Sequence, residues 1–199
     1  MSGVIQQAAA MRYENGHKEA TREKILVEAA RRFREEGIDA VGVANLMGGI
    51  GLTQGGFYNH FQSKDALARE AMTNALEATK ARFEKDGSVV ALVERYLSAA
   101  HRDHPGRGCP AVTLSQEIAR ASDEVREGFT DELEKILATI RGDLPADMSL
   151  RQKKATAMAV FSAMVGSMTL ARAVNDAALS DDILAAGKKA VLAMLQTPS

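Results

Sequence analysis

The 199-residue sequence holds one cysteine, four prolines and no tryptophan. A single cysteine, with no CxxC and no Cys/His cluster, excludes a disulfide framework and a zinc finger. No uninterrupted apolar run reaches the roughly 18 residues of a membrane span, and the N-terminus lacks a basic stretch followed by an apolar one. These absences lead to the expectation of a soluble, cytoplasmic protein without membrane contact. The formal charge is -1, from 25 basic and 26 acidic residues, so there is no general basic coat for nucleic acid. A local absence says more. Between Ala40 and Lys64 there is no Asp or Glu, where the composition would place about three. A surface made from that segment will not repel phosphate.

Enzyme signatures are missing as well. No GxSxG, HExxH or Walker sequence occurs, and Gln54 stands where a GxGxxG beginning at Gly49 would need its third glycine. His101 and His104 form an HxxH pair without a third ligand, so no metal site and no cofactor is expected. A thiol enzyme built on Cys109 with these histidines is the one catalytic alternative the residues allow. The expectation is a protein that is not an enzyme.

What is present begins with size. With 46% hydrophobic residues, the chain can bury a real core. The most informative stretch runs from Val43 to Lys64. Val43, Leu46, Met47 and Ile50 fall at i, i+3, i+4 and i+7, one apolar stripe on a short helix. Gly51 breaks it, and Thr53 is placed to cap a second helix, its hydroxyl meeting an orphaned N–H. Leu52 and Phe57 then take the N′ and N4 positions of a hydrophobic staple. Phe57 and Phe61 turn inward, while Gln54, Gly55, Tyr58 and Asn59 face out. Two short helices with a glycine turn, the second apolar inside and polar outside, spell a helix-turn-helix. Gly48 and Gly49 weaken the first helix by up to about 1 kcal/mol each, so it is expected to fray and to order on a partner.

The run GLTQGGFYNHFQSKDAL, preceded by TREKILVEAARRFREEGIDAVGV, closely resembles the DNA-binding domain of TetR-type bacterial transcriptional regulators. The resemblance covers about residues 18–78 and is carried above all by the Gly-x-Phe-Tyr-x-His-Phe core and the following Ser-Lys-Asp. It implies an all-α protein with an N-terminal three-helix DNA-binding domain and a C-terminal helical domain for effector binding and dimerisation. On that basis residues 1–17 are a tail, 18–78 the reader domain with its motif at about 42–61, and 79–199 the effector domain. The implied function is a repressor released by a ligand, acting as a homodimer on a near-palindromic double-stranded operator. Thr53, Tyr58, His60 and Lys64 match the family's phosphate-contacting positions, and such groups set register on the backbone. Gln54 and Asn59 carry amides able to pair with adenine. Gly55 and Gly56 would let the backbone approach base edges. A basic run around Arg12, His17 and Lys18 could lie along phosphates as an arm.

Beyond the motif the pattern stays helical. Ile25, Leu26, Ala29, Ala30 and Phe33 form the buried stripe of a helix over about 18–36. Ser63 is expected to cap a helix reaching about Lys85. Ser88 to about His101, Pro110 to Ile118 and Asp123 to about Arg141 read as further helices, with a loop at 104–108. The last two helices, about 150–175 and from a Ser180 cap through 196, carry more apolar surface than one core needs. By resemblance they form a four-helix dimer interface. A small, largely apolar inducer is expected between Ser88 and Ala171, with Tyr96, Phe129, Met158 and Met164 as candidate lining. Cys109, at a helix start beside cationic residues, is a candidate redox or electrophile sensor, since such surroundings lower a thiol's pKa.

Overall fold

In the computed structural model, which describes the backbone of residues 2–196 and the side chains of 16–196, capping serines and glycines divide the chain into helices. The elements are α1 (Ser2–Glu36), α2 (Val43–Gly49), α3 (Gln54–Phe57), α4 (Lys64–Asp86), α5 (Val89–Tyr96), α6 (Ala99–Arg102), α7 (Pro110–Thr113), α8 (Ser115–Ile118), α9 (Asp123–Asp143), α10 (Leu150–Ala173) and α11 (Ala177–Gln196). A 3-10 turn at Pro105–Arg107 lies between α6 and α7. No strand occurs among the described residues, so the fold is all-α as the stripes predict.

Serine hydroxyls start several helices as expected. Ser63 Oγ accepts from Ala66 N at 3.0 Å and Ser88 Oγ from Ala91 N at 3.2 Å. Ser149 and Gln152 form a reciprocal capping box. The turn after α2 is a Schellman closure: Leu52 N donates to Met47 O at 2.9 Å and Gly51 N to Gly48 O at 3.1 Å. Gly51 has φ +75, a left-handed conformation that a Cβ would strain. The closure gives α2 a defined end despite its two glycines.

Four expectations need correction. α1 begins at Ser2, so the segment read as a tail, including Asn15-Gly16, continues the first helix. The side chain of Arg12 lies outside the described residues. The helix expected over 88–101 is broken at Leu97 (φ -90, ψ 58), because Ser98 Oγ donates to Arg95 O and accepts from His101 N, ending one helix and starting the next. The stretch 110–118 is likewise two short pieces. Ser180 does not cap the last helix. Asp176 does, its Oδ1 accepting from Leu179 N at 3.0 Å, while Ser180 is buried one turn later and donates to Ala171 O.

The core positions the reader. Ile25, Leu26, Ala29 and Phe33 of α1 pack with Leu46, Met47, Phe57, Phe61, Leu67 and Ala71, so α1 to α4 share one apolar centre. α4 then lies along α9, α9 along α10, and α10 along α11. At the α10–α11 crossing a Cβ on Gly187 would sit 2.6 Å from Ser167 Cβ, so the two helices meet nearly backbone to backbone. α10 is long and apolar enough to cross a bilayer by length and composition. Its Ala157, Val160, Phe161, Met164, Met168 and Ala171 are instead buried in this core.

Candidate nucleic-acid interface and effector cavity

α3 is a single turn, extended by backbone bonds from His60 N and Phe61 N to Phe57 O. Phe57 and Phe61 stack at 5.6 Å between centroids and face inward. Arg22 of α1 covers the Phe61 ring at 4.7 Å and pairs with Glu70, which ties α1 to α4 around the motif. With the apolar side anchored, Thr53, Gln54, Gly55, Tyr58 and Asn59 are exposed together. Tyr58 is the most exposed aromatic among the described residues at 64%, held only by an edge contact to Phe57.

The hydroxyl cap expected of Thr53 is absent, and the other candidate residues are held differently from one another. Thr53 occupies the N-cap position with extended backbone, yet its hydroxyl makes no capping bond and stays available. Gly55 is open, with free space where a Cβ would stand, whereas Gly56 faces Met47 Cε at 3.8 Å and belongs to the packing side. His60 is half-buried, its Nδ1 enclosed without a partner, and burial together with Lys18 and Arg22 lowers its pKa. Lys64 Nζ donates to Asp39 O at 3.2 Å, spanning the loop before α2 and the start of α4.

A second site lies about the loop at 104–109. A cavity of about 340 Å³ is lined by Thr79, Arg82, Phe83, Arg95, Tyr96, Ser98, Ala100, His101, His104, Arg107 and Cys109. Of the four ligand candidates only Tyr96 is there. Met164 is fully buried in the core, Phe129 packs at the core's edge, and Met158 is 50% exposed on α10. Apolar spacing on a helix cannot tell a lining residue from one facing a neighbouring helix or solvent.

Hydrogen bonds hold the cavity's inner wall. Cys109 N donates to His101 Nε2 at 3.1 Å, so the ring's proton is on Nδ1, which donates to Tyr96 O at 2.8 Å. Burial pushes His101 down to about 4, with Arg172, Arg95 and Arg82 adding to it, so the imidazole is neutral. The Cys109 thiol is buried, and burial raises its pKa, although hydrogen bonds from Tyr96, Ala111 and Val112 pull the other way. The direction is opposite to the lowered pKa expected of a helix start beside cationic residues, because desolvation outweighs the start of a four-residue helix.

The loop also touches the reader. Arg34 of α1 donates through Nε, at 2.9 Å, and through Nη2 to Gly106 O. Burial, followed by repulsion from Arg82, lowers Arg34 to about 10. Arg82 of α4 donates to Arg107 O at 2.8 Å. Nearby, Glu117 of α8 accepts from Ile38 N at 2.5 Å and Asp39 N at 3.3 Å, closing the turn that leaves α1. Sequence reasoning missed Arg34, Arg82, Glu117 and Arg172, since helical spacing does not tell which charged residues tertiary packing will enclose.

Residues 25–71 match the family model of bacterial regulatory proteins, tetR family. An HTH-type transcriptional repressor, DhaR, from Mycobacterium sp. (strain GP1) is 28% identical over 110 residues, 53% of this chain. The match spans only about half of that relative's length, 56%. Among solved structures, the reduced form of NemR from E. coli superposes with a TM-score of 0.74 at 18% identity, over 90% of this chain and 99% of that one. A TetR transcriptional regulator from Legionella pneumophila gives 0.75 at 16%, over 88% and 97%. One from Chloroflexus aurantiacus gives 0.72 at 22%, over 88% and 96%.

Proposed function

We propose that this chain, TetR-type in its residues 25–71 and in its fold, is a sequence-specific DNA-binding repressor that acts as a homodimer and is released by a small molecule. The observation that carries the reading is the exposed polar face of Gln54, Tyr58 and Asn59 on a segment without acids, anchored from behind by Phe57 and Phe61. Gln54 and Asn59 are the base readers, and Thr53, Tyr58, His60 and Lys64 the phosphate contacts. Gly55 allows close backbone approach, and Gly56 supports it from the packing side. Repression is the role for which the mycobacterial relative is named.

Dimerisation is supported by α10 and α11. Ala155, Met158, Ala159, Ser162, Gly166, Leu170 and Ala173 are exposed at helical spacing, and Leu179, Ala186, Ala190 and Met194 do the same on α11. A second copy would cover this small, apolar face. Two readers on one face of the duplex then need half-sites about 34 Å apart or a related whole-turn spacing.

Release is carried by the loop that forms one wall of the cavity and holds Arg34. A ligand that displaces residues 105–109 draws on the Gly106–Arg34 bond and thereby on α1, which scaffolds the reader. A thiol switch at Cys109 is the second reading, favoured only by the cysteine's place on the cavity wall. A gel shift with the DNA upstream of the protein's own gene, with sedimentation at micromolar concentration, tests the proposal. A shifted dimer is expected. Monomer alone with no shift overturns it.

A further inference from the structure

Many arginines elsewhere pair with carboxylates: Arg22, Arg31, Arg32, Arg69, Arg102 and Arg126 each hold at least one. Around the cavity the pattern reverses. Arg82 and Arg107 line it, while Arg34 stands behind Gly106 and Arg172 behind Gly108. None of the four forms a salt bridge among the described residues. Arg34, Arg82 and Arg172 direct their donors to the carbonyls of Gly106, Arg107, Arg102 and His101. The lining contains no Asp or Glu, and its one paired arginine, Arg95, is matched by Asp86 at 2.8 Å.

Arg82 and Arg107 are exposed at the cavity and half-buried Arg34 and Arg172 stand behind its loop, so the site carries positive charge that would attract an incoming anion. Two further groups point to what kind of anion. Tyr96 Oη is buried against the cavity with no nitrogen or oxygen partner and meets only the Cys109 thiol. The Phe83 and Tyr96 rings, 6.3 Å apart and edge to face, supply an apolar wall.

We propose that the cavity takes a small organic carboxylic acid, its carboxylate neutralised by Arg82 and Arg107 and its apolar body laid along Phe83 and Tyr96. The Tyr96 hydroxyl turns its one proton from the Cys109 sulfur to a ligand oxygen. A free inorganic anion would meet the charges and leave the aromatic wall uncovered. A neutral ligand would leave the arginines unpaired. This inference rests on the reading of the cavity as the effector site and narrows the inducer from apolar to acidic.

Isothermal titration of the full-length protein with benzoate and phenylacetate, against benzamide and phenylacetamide, tests it, with inorganic phosphate as a control. The acids are expected to bind with Kd under about 1 mM, and the amides at least about tenfold more weakly. Arg107→Gln should remove most of that difference and Arg107→Lys restore part of it; Arg107 is exposed and unpaired, so both variants keep the fold. Amides binding as well as acids, phosphate competing as well as the aromatic acids, no acid binding by about 10 mM, or an Arg107→Gln variant that keeps the preference would each overturn the proposal. A gel shift on the same samples separates the two readings. Protein that binds its DNA but ignores the acid/amide difference loses this inference alone. Protein that prefers acids yet never binds DNA keeps it and loses the regulator.

Discussion

Arg34 on the first helix and Gly106 in the loop beside the cavity are joined by two hydrogen bonds from one guanidinium to one carbonyl. They lie 72 residues apart in sequence, and the contact links the scaffold of the reader to the wall of the cavity. Arg34→Ala leaves that carbonyl without its donor and should cost about 1–3 kcal/mol. Urea unfolding measures the cost. If the contact carries the signal, operator affinity in the variant should also respond less to ligand. A variant with unchanged stability and an unchanged ligand response would show that the contact is incidental.

The reader's residues should separate into two behaviours. Lys64→Ala is expected to weaken binding to all sequences alike and to reduce the salt slope by about one unit. Gln54→Ala should instead relax preference at one base step by about 1–3 kcal/mol. Binding measured across salt concentrations, and against a set of single-base operator variants, distinguishes them. An unchanged base-preference profile in Gln54→Ala would remove Gln54 from the readers.

His101 gives the fold a pH dependence with a definite sign. Its folded value is about 4 against an ordinary 6.5, so the unfolded chain takes up the proton first. The stability it contributes is full above pH 6.5 and is lost as the pH falls from 6.5 towards 4. Protonating Nε2 also breaks the bond from Cys109 N. In His101→Gln the fall of Tm across that window should flatten. A variant that falls as steeply as the wild type would place the acid sensitivity elsewhere.

Cys109 should react as a buried thiol of raised pKa. Modification by a disulfide reagent at pH near 8 should be at least about tenfold slower in the folded protein than in urea. Peroxide or an electrophilic quinone should release wild type and Cys109→Ser from DNA to the same extent. Release of the wild type alone would revive the thiol switch.

The boundaries that came out where expected rest on local chemistry. Ser63, Ser88 and Gly51 start or stop helices through groups a few residues away, so their role is written in adjacent letters. The inward phenylalanines and outward amides of the motif are legible for the same reason, since helical spacing assigns faces. Leu97 shows the limit of that reading: no glycine or proline marks the break, and a serine hydroxyl serves both neighbouring helices. Ser180 shows it again, because Asp176 was as good a cap and the crossing of α11 over α10 decided between them.

The sequence alone determined the helices, their apolar faces and a reader free of negative charge, all properties of residues within a turn or two of one another. Only the tertiary structure decided the rest. It drew Arg82 and Arg107 to one cavity, set Arg34 and Arg172 behind its loop, and left Met158 outside. It also buried Cys109, because desolvation depends on what packs around a thiol and not on its neighbours in the chain.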